Sequence, residues 1–145
     1  MKKWILPLLV LLLPLSAAAQ QEAVLREIAS HLATDRISLR YDCVFKQEAP
    51  LHLTGELLIQ DGCYLAKGNG MEIYCDGVSR WTVDPASKEV YIEAAGGLEE
   101  LLAWRDSLTE LKISDIKYQP RTEDLSVFSF DTTALGAEWV VTDLR

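Results

Sequence analysis

The sequence predicts an α+β fold in which one strongly curved antiparallel sheet is covered by an N-terminal helix and a second, lid-like helix. Three observations carry this expectation. From Ile37 to Glu93, period-two alternation recurs in short runs punctuated by Asp61-Gly62, Gly68-Asn69-Gly70, Asp76-Gly77 and Asp84-Pro85, the pattern of strands joined by tight turns. Helical spacing precedes this meander and returns only behind Gly96-Gly97. A long sheet must also protect its edges, and a nearly closed sheet around a helix is one solution.

The leading residues stand apart from the fold. Lys2 and Lys3 precede an apolar run from Trp4 to Leu15, and Ala17 and Ala19 supply the small residues a signal peptidase needs. Residues 1–19 are expected to be a secretory signal peptide, cleaved before Gln20. The run is shorter than the roughly 20 residues that span a bilayer. The first cysteine is Cys43, so no cysteine stands at the cut as it would in a lipoprotein. Residues 20–145 are expected to form one soluble, exported, monomeric domain, with no internal repeat or linker. Without Lys2 and Lys3, 12 basic residues face 22 acidic ones, a field that repels nucleic acid and anionic headgroups.

Val24, Leu25, Ile28 and Leu32 place one amphipathic helix over 21–33. A long half-buried strand follows, with Ile37, Leu39, Tyr41, Cys43 and Phe45 on its inward face. Leu51, Leu53, Gly55, Leu57 and Ile59 share the inward face of the next, where Gly55 marks a bulge or an open space. Runs at 63–67, 71–75, 78–83 and 88–93 continue the meander. Ser79, Trp81 and Val83 share one face of their strand, Arg80 and Thr82 the other. Beyond Gly96-Gly97, Leu98 to Arg105 returns to helical spacing, and 107–118 is a strand whose parity slips at a bulge near Ser114. Two last strands are expected over 125–130 and 139–142, with a short helical turn at 134–136.

Catalytic constellations are scarce. His31 and His52 have no ligand-spaced partners, Glu99-Glu100 diverge on a helix, and no nucleophile elbow or phosphate-cradling loop precedes a helix. A non-enzymatic role is expected, without metal or cofactor. A three-residue Gly68-Asn69-Gly70 loop would bring Cys63 opposite Cys75, where a disulfide can form; a two-residue turn would spoil the pair. What remains is apolar surface. Leu39, Tyr41, Phe45, Leu57 and Ile59, with Leu65, Ile73, Trp81 and Val83, are expected to line a concave face. Leu98, Leu101, Leu102 and Trp104 would sit above it on a helix that the double glycine lets move.

Asp76, Gly77, Trp81 and Pro85 form a "DGxxxWxxxP" strand pair that resembles the LolA-type lipoprotein carriers. The order of the N-terminal helix, the Tyr41 and Phe45 strand, Gly55-Glu56-Leu57 and the closing Val140 to Arg145 is similar as well. The resemblance implies an incomplete β-barrel covered by helices. It implies a soluble periplasmic carrier whose apolar cavity takes lipoprotein acyl chains, or lipids, from an inner-membrane release complex to an outer-membrane acceptor. Where that family has an Arg-Pro pair tied to lid opening, this chain has Gln60-Asp61, so its release switch does not carry over. A non-catalytic module for another apolar ligand or for a protein is the second expectation, and an enzyme the third.

Overall fold

One helix, α1 (Glu22–His31), precedes eight strands: β1 (Asp35–Phe45), β2 (Leu51–Gln60), β3 (Cys63–Gly68), β4 (Met71–Cys75), β5 (Ser79–Asp84), β6 (Glu89–Ala94), β7 (Leu108–Pro120) and β8 (Val140–Asp143). The computed structural model describes residues 22–46, 48–96 and 108–145. The expected signal peptide over 1–19 and the expected lid-like helix with Leu98, Leu101, Leu102 and Trp104 lie outside the described residues.

The strands form a single open sheet in the order β7-β1-β2-β3-β4-β5-β6-β8. Local chemistry sets each turn. Asp61 (φ 54°) opens the β2–β3 turn, Asp76 Oδ1 accepts the Val78 and Ser79 N–H groups, and Asp84 Oδ1 accepts that of Ala86 at 3.1 Å. Asn69 (φ 55°) and Gly70 (φ 76°) both take left-handed backbone, which makes a two-residue type I′ turn, the connection that best matches strand twist. Gly68 therefore pairs with Met71 and Tyr64 with Cys75.

This register corrects the expected disulfide. Cys75 shares a face with Tyr64, and alternation turns Cys63 to the other side of the sheet. Cys43, Cys63 and Cys75 are all buried free thiols.

Two crossovers complete the sheet. The chain passes from β6 at one side to β7 beyond β1, and then returns to lay β8 parallel to β6; the sheet is thus not wholly antiparallel. β7 contains the expected bulge: Ser38 pairs with Lys117 but Arg40 with Ser114, and Asp115 has φ 51°. The expected strand over 125–130 does not form. A 3₁₀ turn, Ser126–Phe128, lies there instead, and the second turn falls at Thr132–Ala134. Residues 121–139 need no ladder because side chains anchor them. Gln60, only 1% exposed, accepts from Arg36 Nε at 2.8 Å and from the Thr122 N–H, and donates to the Thr122 carbonyl at 2.6 Å. Arg121 reaches the Ala33 carbonyl and the Asp61 carboxylate.

Candidate functional site

Register decides which side chains share a face, because paired residues on neighbouring strands point the same way. On the first face, Leu39 pairs with Leu57, and the row continues through Ala66, Ile73, Thr82 and Tyr91. Tyr41, Phe45 and Ile59 share this face. On the second face, Leu58 leads through Leu65, Tyr74 and Trp81 to Ile92, with Val83 beside Trp81. The single concave lining expected from the sequence is therefore divided. Leu39, Tyr41, Phe45, Leu57, Ile59 and Ile73 belong together, whereas Leu65, Trp81 and Val83 look the other way.

Each face has its own cover. Leu25 and Ile28 of α1, with Leu32 just past its end, pack on Ile37, Leu39 and Ile59 in one buried cluster, each fully buried side chain worth about 1.5–3 kcal/mol. Cys43 and Phe45 close with Leu108 in a second. On the opposite face, Val83, Val90 and Ile92 pack with Tyr74, Trp81, Phe130, Leu135 and Trp139. The 121–139 crossover supplies the last three, and Phe130 lies 5.3 Å from the Tyr74 ring. Phe128 is fully buried and lies 5.2 Å from the Arg36 guanidinium. Trp81, Val83 and their neighbours are thus core of an ordinary kind.

The first face closes sharply where β2 meets β3. A side chain on Gly55 would strike the Lys67 carbonyl, with the Tyr41 hydroxyl at 2.7 Å; one on Gly68 would strike the Thr54 carbonyl, with Gly55 Cα at 2.8 Å. Gly55 is not an open space but a point of close backbone approach. Since Tyr41 lies on the first face, β3 leans over β2 toward that face. Past this bend the row stays half-buried: Leu57, Ala66, Ile73 and Thr82 are all partly accessible, and Tyr91 is 39% exposed. Charges bound it on β5 and β6. Arg80 pairs with Glu93 at 2.5 Å on one side, and Asp84 and Glu89 stand on the other.

Burial shapes the titratable groups. It pushes the Cys43 thiol up to about 11, aided by the Asp42 charge, and raises Cys63 and Cys75 as well. The thiolate is the reactive form, so all three are poor nucleophiles at neutral pH. Burial and then the neighbouring Cys43 raise Tyr41. His31 Nδ1 donates to the Asp35 carboxylate at 2.6 Å and the ring stacks on Tyr118 with centroids 3.8 Å apart, while exposed His52 bonds to Asp42. His31 thus ties the end of α1 to β1 and β7, and His52 ties β2 to β1. Among the described residues, no three of His, Cys, Asp and Glu gather as a metal would require, and no helix is long and apolar enough to cross a membrane.

The sequence reading missed Gln60 and Asp61 as anchors of the crossover. Polar residues at a strand end before Gly62 announce a turn, and the partners Thr122 and Arg121 lie some sixty positions away.

No family model matches the chain, and no curated protein matches it.

Proposed function

We propose that this chain is an exported, non-catalytic carrier that holds the acyl chains of lipoproteins or lipids and delivers them across the periplasm to the outer membrane. The observation that carries the proposal is the first face: an apolar row that begins in the core under α1 and continues, half-buried, across β3 to β6. The "DGxxxWxxxP" resemblance supports the same reading. So does the physical need, since each methylene taken from water is worth about 0.8 kcal/mol and a long acyl chain on the order of 10 kcal/mol. Transfer then requires only an acceptor that binds the chain better. In this reading the sheet acts as an incomplete barrel, α1 walls one end of the apolar face, and the helix expected over 98–105 covers the rest.

Native mass spectrometry of protein purified from its own cell envelope tests this. A population heavier by the mass of a lipid or an acylated polypeptide is expected. Protein that is uniformly empty, and that takes up no fatty acid or phospholipid when offered them, would contradict it.

One observation favours a second reading, a protein-binding module. Edge strand β8 exposes Val140 (58%), Val141 (42%) and the adjoining Leu144 (61%), and an edge strand can recruit another chain by backbone pairing. Copurification of a stoichiometric protein without acyl chains would select it.

A further inference from the structure

Beyond the bend at Gly55 and Gly68 the apolar part of the first face narrows: Ile59, Tyr64, Cys75 and Met71 flank the row on β2 to β4, but on β5 and β6 charged residues flank it on both sides. Residues two apart on a strand share a face, so neighbouring rows stand about 6.8 Å apart. On β5 and β6 the row Thr82–Tyr91 has Arg80 and Glu93 on one side, joined as an ion pair at 2.5 Å with the Arg80 side chain 19% exposed. Asp84 and Glu89 lie on the other. Asp84 holds the following turn through the Ala86 N–H, and Glu89 accepts the Tyr91 hydroxyl at 3.0 Å. None of these charges can turn inward without losing its partner. An apolar ligand reaching β5 and β6 is thereby confined to the width of one side-chain row. Along the row, Leu57 on β2 is four strand spacings from Tyr91 on β6, about 19 Å, the reach of one long fatty acyl chain. Ala66, between Leu57 and Ile73, carries the smallest side chain of the row.

We infer that this face takes a single acyl chain, laid across the strands along Leu57, Ala66, Ile73, Thr82 and Tyr91, with Thr82 setting whether the chain can pass. The inference rests on the carrier reading above and narrows it to one chain at a time on this face. A ligand with two or three chains binds by one of them, leaving the others to a partner or to solvent.

Palmitate is the probe, with stoichiometry read by native mass spectrometry and affinity by calorimetry. The wild-type protein is expected to bind one palmitate. Thr82→Phe fills the row with a side chain well suited to a strand and is expected to weaken binding at least tenfold at an unchanged melting midpoint. Thr54→Phe, on the exposed opposite face of β2, leaves binding as it was. Should Thr82→Phe fail to fold, Tyr91→Asp at the accessible end is expected to give the same loss. Two or more palmitates per chain, or full affinity in the row variants, would overturn the inference while the carrier reading stands. No binding by the wild-type protein would remove both.

Discussion

Cys43 stands between Phe45 and Leu108 at 7% exposure, and its thiol titrates near 11 rather than 9 because burial disfavours the anion. A thiol raised on folding contributes stability that is fully present below its ordinary value and is lost as pH climbs through the raised one. Tyr74 behaves alike, pushed up to about 12 by burial and by the hydroxyl it donates to Glu72. The melting midpoint is therefore expected to stay level from pH 7 to about 9 and to fall between about 9 and 12. Cys43→Val should remove part of that fall; a decline beginning at neutral pH would contradict the assignment. The thiols also provide a count. Denatured, unreduced protein is expected to show three reactive thiols, and native protein at neutral pH none within minutes. One thiol in the denatured protein would restore the Cys63–Cys75 bridge that the register excludes.

At the scale of elements, turn length matters more than turn location. Gly68-Asn69-Gly70 announces a hairpin on inspection, but a loop of three residues and a turn of two differ by one position, and one position reverses the face of every following side chain. Asn69 fixes the choice. Beyond its left-handed backbone, its side chain accepts the Thr54 N–H at 2.9 Å and donates to the His52 carbonyl at 3.3 Å. Asn69→Gly keeps the permitted backbone and deletes both bonds, so a loss of about 1–2 kcal/mol is expected, measured as a lower denaturant midpoint at constant slope. At Gly55, substitution by Val drives a branched side chain into the Lys67 carbonyl and the Tyr41 hydroxyl. Backbone cannot yield there as a side chain can, and a cost of about 3 kcal/mol or failure to fold is expected. The strands themselves were legible because alternation is a local property: β1 to β6 each lie within two residues of their expected bounds. Residues 125–130 mislead because Leu125, Val127, Phe128 and Phe130 are apolar residues of strand-like type. Nothing in their own composition reveals that Gln60 and Arg121 pin the segment across a finished sheet, with Phe128 and Phe130 as wedges rather than rungs.

For the whole molecule, the decisive fact is that apolar packing changes faces between β3 and β4. Under α1 the first face is core; beneath the 121–139 crossover the second face is. Within β4 to β6 both faces carry large apolar residues, Ile73 against Tyr74 and Tyr91 against Ile92, so parity could not say which set was enclosed. Apolar pattern alone consequently groups Trp81 and Val83 with Leu39 and Tyr41, although they pack with Phe130 and Trp139. Of the expected cavity, Leu39, Tyr41, Phe45, Leu57, Ile59 and Ile73 remain on one face. The division gives the carrier proposal its sharpest test, a palmitate titration of isotope-labelled protein followed by NMR. Saturable shifts are expected at Leu57, Ala66, Ile73, Thr82 and Tyr91, with Trp81, Val83, Phe130 and Trp139 undisturbed. Shifts confined to the second face, or none at any concentration below micelle formation, would contradict it.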